Sequence, residues 1–149
     1  MSEEMLKVSV DKFIFLVPAG CFYSDTGVWV KPEGRRARLG LSDFAQQSNG
    51  DIAFAKVKQA GTKLDLGDEF AEIETVKVNM SFPSPVNGMI VEVNRSLMDA
   101  PELINQEPYG KGWLAVVELS ETEDALAQLL DAQAYLALVK GQAEAEMKK

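Results

Sequence analysis

The sequence has no histidine and only one cysteine among its 149 residues. Without histidine it cannot build a Ser-His-Asp triad, a Cys-His pair or an imidazole metal site. The lone Cys21 cannot form an intrachain disulfide or a thiolate zinc cluster, and we expect it to be a small buried apolar side chain. Because most of the usual catalytic groups are missing, the chain is not predicted to be an enzyme.

Positive charge is also scarce. Lys and Arg total 15 against 23 Asp and Glu, so the formal net charge is −8. This balance argues against nucleic acid and anionic membranes as partners, since both are bound largely through Lys and Arg. A partner with a basic docking patch fits the charge better.

Long hydrophobic runs are absent as well, and no segment approaches the roughly 20 apolar residues of a membrane span. The apolar run at 13–17 is shorter than the core of a secretory signal. Glu3, Glu4 and Asp11 also stand where such a signal carries positive charge. We therefore expect a cytoplasmic protein, monomeric, with 13–17 as its first β-strand.

Glycine and proline mark turns at short spacing, and between them apolar and polar residues alternate. That period of two is typical of strands with one buried face. The pattern predicts strands at 28–30, 36–41, 51–57, 70–78, 89–93 and 113–119. We expect 28–30 to form a hairpin with 36–41, and 70–78 to pair with 89–93. The predicted fold is mostly β, a sandwich or a partly closed barrel.

Local patterns add detail to this fold. In the strand at 51–57, Ile52 and Phe54 are expected to share one face. Residues 42–45 resemble a single capped helical turn. The length fits one domain over 1–149, because a chain of this size buries roughly 70% of its unfolded surface.

From about residue 120 the apolar period becomes helical. Residues 120–123 read Ser-Glu-Thr-Glu, the form of a capping box, and Asp131 is placed to cap a second helix. An apolar stripe at three- and four-residue spacing follows: Leu126, Leu129, Leu130, Leu136 and Val139. We expect helices over about 120–149 that pack on the sheets. The polar end from 143 is expected to fray.

Carboxylates are numerous, but none forms a convincing catalytic pair. Glu72 and Glu74 alternate with apolar residues, so we expect both on the solvent face of a strand. Asp65, Asp68 and Glu69 are interpreted as turn acids, since their spacing is not that of a calcium-binding EF-hand loop.

The segment 67–88 is the most informative part of the chain. A Gly-Asp turn leads into a strand that runs to Lys77, which is flanked by Val76 and Val78, and an Asn-Gly turn follows at the end of the segment. A lysine near a hairpin tip is most often a solvated charge. Its flexible four-carbon stem and acylable amine are also what a carrier of a covalently attached group needs.

These residues resemble the lipoyl attachment hairpin of the glycine cleavage system H protein family. Residues 74–77 read Glu-Thr-Val-Lys and are similar to the Glu-Ser-Val-Lys motif of that family, with Thr in place of Ser. Further stretches are similar to the family pattern: 40–46, 50–52, 84–94, 101–105, 108–114 and 129–135. The resemblance runs in register from about Phe22 to about Leu138.

The resemblance implies a lipoyl-type β-sandwich, a barrel-sandwich hybrid, with its lysine at a hairpin tip. It implies a non-catalytic carrier with lipoate amide-linked to Lys77 and with Glu74 as part of the attachment motif. The implied partners are a lipoate-attaching enzyme, glycine decarboxylase, aminomethyltransferase and dihydrolipoyl dehydrogenase. A biotin carrier ranks lower, because valines rather than methionines flank the lysine.

The chain departs from the family pattern at positions that bear on its cargo. The family has a His-Glu pair directly before the tryptophan that matches Trp29, and here those positions are Gly27 and Val28. It has an aspartate four residues after the lysine, and here that residue is Ser81. Either these positions have drifted within the family without a change of cargo, or this is an H-like carrier for another pathway, such as sulfur oxidation with heterodisulfide-reductase-like enzymes. A third reading is a regulatory protein or a relay that hands lipoate to other acceptors.

Overall fold

A computed structural model describes residues 4–120 and 126–147. The strands of this part are β1 Met5–Val10, β2 Phe13–Pro18, β3 Phe22–Tyr23, β4 Val28–Glu33, β5 Arg36–Leu41, β6 Ile52–Val57, β7 Lys63–Leu64, β8 Glu69–Thr75, β9 Asn79–Pro83, β10 Gly88–Val93 and β11 Ala115–Leu119. The helices are α1 Asp43–Asn49, α2 Ser96–Asp99, α3 Leu103–Gln106 and α4 Ala132–Met147. No helix within the described ranges is long and apolar enough to cross a membrane.

The strands form three antiparallel sheets. The largest has the order β3-β4-β5-β11-β10-β7, a second has β6-β8-β9, and the third is the N-terminal hairpin β1-β2. One buried cluster joins the first two sheets, with Leu39, Ile90 and Val117 from the six strands and Phe70 and Ile73 from the three. The predicted mostly β sandwich is therefore confirmed.

The strand predicted at 13–17 is present, but it is the second strand of the chain and not the first. Residues 13–17 do form a strand, but β1 precedes it and pairs with it from Met5↔Pro18 to Val10↔Phe13. The inner face of β1 alternates Leu6, Val8 and Val10 toward a second buried cluster. The short period-two pattern of β1 was therefore present in the sequence.

The predicted pairing of 70–78 with 89–93 is wrong. β8 ends at Thr75 and pairs with β6 on one side and β9 on the other, whereas β10 pairs with β11 and β7. The reason is local, since the chain turns at once after 75 and returns as β9 in the same sheet. The connection at 84–87 then carries it into the other sheet. The predicted hairpin of β4 with β5 is confirmed.

The expected shared face of Ile52 and Phe54 is also wrong. The register between β6 and β8 shifts between these two residues, as in a β-bulge. Ile52 and Ala55 therefore face the core, and Phe54 is 52% exposed.

Helix α1 begins after Ser42, whose hydroxyl accepts a hydrogen bond from the amide of Ala45 at 3.1 Å. It is longer than the single turn predicted. Asp131 caps α4 as expected, since its Oδ1 accepts from the amide of Ala134 at 2.8 Å. The predicted capping box at 120–123 lies mostly outside the described residues.

Helix α4 packs its buried face against the N-terminal hairpin and β3. Its buried residues recur at helical spacing: Ala132, Tyr135, Val139 and Ala143. Fraying from residue 143 is not what the structure shows, because Ala143 is buried and the helix continues to Met147.

Candidate functional site at the Lys77 hairpin

Lys77 lies at the tip of the hairpin that joins β8 to β9. β8 ends at Thr75 and β9 begins at Asn79, so residues 76–78 form the tip. Lys77 is exposed, and its neighbours Val76 and Val78 are 74% and 47% exposed. The lysine and the two valines are therefore all accessible to another molecule at this tip.

The backbone of the tip is ordered by the hydroxyl of Thr75, which is itself buried. Thr75 Oγ1 accepts hydrogen bonds from the amides of Lys77 at 3.1 Å and Val78 at 3.0 Å. It also lies 3.1 Å from the carbonyl oxygen of Val78, to which it donates. The amide of Thr75 donates to the same carbonyl at 2.8 Å. A single hydroxyl therefore fixes the turn that presents the lysine.

A second loop, between α1 and β6, supports the tip from the side. The amide of Val76 donates to the carbonyl oxygen of Asp51 at 3.3 Å. Gly50 has a φ of +83°, and a Cβ placed on it would lie 4.0 Å from Cε of Lys77. The aliphatic stem of the lysine therefore lies beside the chain that enters β6.

Asn105 in α3 holds this supporting loop in place. Its Oδ1 accepts from the amide of Ile52 at 2.9 Å, and its Nδ2 donates to the carbonyl oxygen of Gly50 at 3.0 Å. The same Nδ2 donates to Oε1 of Gln46 at 2.9 Å. One amide side chain thus ties α1, the loop and β6 together behind the lysine hairpin.

The two glutamates of β8 face solvent, as predicted from their alternation. Glu72 and Glu74 are exposed, while Ala71 and Ile73, which alternate with them along β8, are buried. Glu74 is opposite Phe54 on β6 and opposite Asn79 on β9. The residue of the attachment motif that precedes the tip therefore stands on the outer face of the sheet, three positions before the lysine.

Two of the expected turn acids, Asp65 and Asp68, lie in the turn before β8, whereas Glu69 is the first residue of that strand, so its assignment to the turn is wrong. The carboxylate of Asp68 accepts from the amide of Asp65 at 2.9 Å, and the amide of Asp68 donates back to the carbonyl of Asp65. Glu69 lies 3.9 Å from Nζ of Lys58 and accepts from the hydroxyl of Ser81. The carboxylate of Asp68 therefore closes the turn before β8, and that of Glu69 bridges to Lys58 and Ser81.

Two of the three positions that depart from the family pattern replace an acid, and they differ in surroundings. Val28 is fully buried at the start of β4, opposite Leu41. Ser81 is exposed on β9, opposite Glu72. Neither position offers a carboxylate to a cationic group.

Three tyrosines have raised pKa values. Burial raises the pKa of Tyr135 to about 12, and the hydroxyl is 2.6 Å from Oγ of Ser42. Burial also raises the pKa of Tyr23 and Tyr109, whose hydroxyls donate to the carbonyls of Pro18 and Leu16 at 2.6 Å. All three groups lie around the N-terminal hairpin and α4. Cys21 is buried in the same cluster, as predicted.

The chain belongs to the glycine cleavage H-protein family. A model of the family described as "Glycine cleavage H-protein" matches residues 21–142, the sandwich and most of α4. The stretch 4–20, with the hairpin β1-β2, precedes the matched region.

Relatives and a solved structure agree with this assignment. The chain is 42% identical over 123 residues to a glycine cleavage system H protein of Brevibacillus brevis, covering 83% of this chain and 97% of the relative. It is 39% identical over 119 residues to that of Bacillus subtilis, covering 80% of this chain and 93% of the relative. The crystal structure of a glycine cleavage system H protein from Mycobacterium marinum superimposes with a TM-score of 0.72 at 28% identity. That match covers 85% of this chain and 98% of the other.

The sequence predicts Lys77 as the attachment residue but assigns no role to the residues that order its hairpin. For Thr75 the sequence indicates only that it replaces the serine of the motif. Gly50 and Asn105 lie in stretches that are similar to the family pattern, but no role is predicted for either residue. The sequence carried one signal for both, because 50–52 and 101–105 are similar to the family pattern.

Proposed function

We propose that this protein is a non-catalytic lipoyl carrier, with lipoate amide-linked to Nζ of Lys77. The observation that carries the proposal is the placement of Lys77 on an ordered, exposed hairpin tip, within an attachment motif, in a chain of the glycine cleavage H-protein family. Glu74 is part of that motif and stands exposed before the tip.

The residues at the tip fit an attached group. Lys77 is exposed, and its amine can be acylated. Gly50 does not crowd the lysine stem, since even a Cβ placed on Gly50 would lie 4.0 Å from Cε of Lys77. Thr75 holds the backbone, so an attaching enzyme meets a turn that is already in shape. The exposed side chains of Val76 and Val78 give that enzyme an apolar contact on both sides of the lysine.

Lipoate, when attached, supplies a dithiolane that is reduced and reoxidised and that carries an intermediate as a thiol derivative. The protein positions the arm and docks on partners. A tether at Lys77 raises the effective concentration of the arm at whichever enzyme it reaches. By family resemblance the partners are glycine decarboxylase, aminomethyltransferase, dihydrolipoyl dehydrogenase and a lipoate-attaching enzyme, and we place the protein in the cytoplasm.

The net charge of −8 supports docking on enzymes with basic surfaces. Encounter with such partners is faster at low ionic strength, because screening over roughly 10 Å weakens the attraction at about 0.1 M salt.

The experiment is intact-protein mass spectrometry after co-expression with a lipoate-attaching enzyme and lipoate. Wild type gains one lipoyl mass, and Lys77→Arg stays unmodified. Lys12→Arg is the matched control, since Lys12 is another exposed lysine at a hairpin turn. Unmodified wild type, beside a known H protein that is modified under the same conditions, would overturn the proposal. A lipoyl mass on Lys77→Arg would show that the site is wrong.

A second candidate concerns the cargo. Val28 and Ser81 replace two family acids, so the positions that they occupy lack charges suited to a cationic aminomethyl group. This observation favours an H-like carrier that serves another pathway, such as sulfur oxidation with heterodisulfide-reductase-like enzymes. Loading of the lipoylated protein by glycine decarboxylase decides between the two: turnover equal to that of a family H protein contradicts the second candidate, and restoration by Ser81→Asp supports it.

A further inference from the structure

The N-terminal hairpin has two long edges, and the structure closes the edge formed by β2. Four outward backbone groups of β2 are bound by side chains from elsewhere in the molecule: the Ile14 carbonyl by Gln47, the Leu16 carbonyl by Tyr109, the Leu16 amide by Asp43 and the Pro18 carbonyl by Tyr23. A further strand therefore has no place on this side of the hairpin.

The edge formed by β1 is open. The amide of Ala19 donates to the carbonyl of Glu4 at 2.8 Å, and this bond sets the alternation of the antiparallel pair, so residues 4, 6, 8 and 10 point their backbone groups toward β2. Met5, Lys7 and Ser9 point theirs outward, and within residues 4–120 and 126–147 no other strand or side chain binds them. A straight edge strand of this kind is a template for another strand.

The side chains of β1 also fit a sheet that continues past this edge. Leu6 and Val8 point to the inner face yet are only half-buried, whereas Val10 beside the turn is buried. A strand added at the open edge would cover the side of Leu6 and Val8 that now faces water, which is a favourable burial of apolar surface.

We propose that β1 pairs with β1 of a second copy of this chain about a two-fold axis, so that the two hairpins form one four-stranded antiparallel sheet. A two-fold contact brings the same surface of both copies together, so that surface has to be complementary to itself. The hairpin meets this condition in charge, because Lys7 and Lys12 balance Glu4 and Asp11 although the whole chain carries −8.

Backbone alternation allows few registers, because the residues that point outward have to pair with one another. An axis at Lys7 would set two ammonium groups directly opposite each other, which is destabilising. An axis at residue 6 or 9 would limit the overlap of the strands to 5–7 or 8–10. An axis at Val8 overlaps 6–10, pairs Lys7 with Ser9 and sets Glu4 of each copy opposite Lys12 of the other. Charge complementarity therefore selects the axis at Val8.

Helix α4 is compatible with the four-stranded sheet. It packs on the inner face of its own hairpin, so the two copies of α4 come to lie about 10 Å apart, twice the strand spacing of about 4.8 Å. Packed helices have interaxial distances of about 8–10 Å. The Lys77 tip belongs to the separate sheet β6-β8-β9, so the contact does not use it. The pair differs from the monomer expected from the sequence.

Sedimentation equilibrium of the full, unmodified chain measures the pairing. Wild type is expected to show a monomer–dimer equilibrium, with the dimer at twice 16.3 kDa. Ser9→Pro removes an outward amide that the pairing of β1 with β2 does not use, so the hairpin folds as before. The dissociation constant of the dimer should rise at least about 30-fold, because the amide is lost on both sides of the axis.

Ile14→Pro is the matched control, since it removes an outward amide at the closed edge of β2 and should leave the dissociation constant unchanged. Far-UV circular dichroism verifies that both variants fold. A wild type that is still monomeric at about 1 mM overturns the proposal, because no useful affinity remains beyond that range. Equal weakening by the two prolines contradicts the assignment of the edge.

Disulfide crosslinking tests the position of the axis. With Cys21→Ala as background, Val8→Cys sets two thiols opposite each other in a non-hydrogen-bonded pair, whose Cα atoms are about 4.5 Å apart, within disulfide reach. Diamide takes two electrons and two protons from the thiols and becomes the hydrazine. Leu6→Cys is the control, because the two thiols would be four residues apart along the strands, about 13 Å. Stronger crosslinking of Leu6→Cys shows that the axis is wrong. No crosslinking of either variant, where wild type sediments as a dimer, moves the interface elsewhere and overturns the proposal.

A charge exchange tests the same register without cysteine. Lys12→Glu sets like charges opposite each other at both ends of the interface and should raise the dissociation constant about fivefold, since exposed ion pairs are weak. Glu4→Lys combined with Lys12→Glu restores opposite charges and should return the constant to that of wild type. A double variant that is weaker than Lys12→Glu contradicts the pairing of these two residues.

Discussion

Two hairpins of this protein present an exposed lysine, and they are built in opposite ways. In the N-terminal hairpin, Lys12 follows Asp11 in a two-residue turn between the paired residues Val10 and Phe13, with Nζ 5.9 Å from the Phe13 ring. In the hairpin of β8 and β9, Lys77 stands in a three-residue tip. Only the second lies within the region that the family model matches.

The two hairpins are also held by different forces. The inner side chains of β1 and β2 are buried in a cluster with α1 and α4, while the tip around Lys77 keeps exposed valines and is ordered by hydrogen bonds. An exposed lysine at a turn is therefore not enough to define a site. What distinguishes Lys77 is a turn fixed by a buried hydroxyl and supported by a neighbouring loop, so that the side chains remain available to a partner.

The largest expected effect follows from the burial of the N-terminal hairpin. Phe15 is buried and packs edge-to-face on Phe44 with ring centroids 5.2 Å apart, so Phe15→Ala should lower the free energy of unfolding by about 3–5 kcal/mol. Phe54→Ala is the control and should cost less than about 1 kcal/mol, since that ring is half exposed. Urea unfolding followed by tryptophan fluorescence measures both, and lipoylation of the folded Phe15 variant should be unchanged. If both variants lost the same free energy of unfolding, burial of the N-terminal hairpin would not be what stabilises it.

Alkaline pH should act on the same region. The pKa of Tyr135 is about 12 in the folded protein against an ordinary 10.0, because the ring is buried. Between these values the unfolded chain has lost the proton and the folded chain retains it. The stabilisation is therefore complete below pH 10 and is lost as pH rises toward 12, on the order of 2 kcal/mol in all.

Urea unfolding at pH 8, 10 and 11 measures this loss, and tyrosinate absorbance reports the ionisation. Tyr23 and Tyr109 act in the same direction, because burial raises the pKa of both hydroxyls. Tyr135→Phe should flatten the upper part of the dependence. Unfolding free energies that stay constant from pH 8 to 11 would contradict the assignment.

The patterns of burial also explain which parts of the fold could be predicted from the sequence. Period-two alternation located β5 and the solvent face of β8, because in a half-buried strand every second residue faces solvent. The motif at 74–77 located the lysine. Pairing partners were harder, since β9 is short and only Phe82 on it is fully buried, so the return strand left little pattern.

The remaining errors have equally local causes. A bulge moves Phe54 to the outer face by inserting one residue, and alternation alone cannot show an insertion. The role of Asn105 depends on three partners at 46, 50 and 52, which come together only through the packing of α3 on α1. Such a contact has no periodic signature in the sequence.

A smaller effect is expected at the lysine tip itself. Thr75→Val keeps the shape of the side chain but removes the hydroxyl that pairs with the amides of Lys77 and Val78. Loss of these bonds at a partly buried site should cost about 1–2 kcal/mol and slow enzymatic lipoylation, because the tip is no longer fixed before it is recognised. Thr75→Ser retains the hydroxyl and is the control. The rate of mass gain in a time course measures the effect, and equal rates for Thr75→Val and wild type would show that the hydroxyl does not prepare the site.

The smallest effect concerns the turn of the N-terminal hairpin. Asp11 has a φ of +56°, the left-handed region, and is the one non-glycine residue with positive φ among the described residues. Glycine adopts this region without the steric penalty that a Cβ brings. Asp11→Gly should therefore raise the free energy of unfolding by roughly 0.5 kcal/mol, the relief of strain exceeding the added chain entropy of glycine. Gly34→Ala in the turn after β4, where φ is +68°, should have the opposite sign and a cost of about 1 kcal/mol. Urea midpoints of the two variants measured side by side test both signs. If Asp11→Gly lowers the midpoint, the aspartate side chain stabilises the turn more than its backbone strains it.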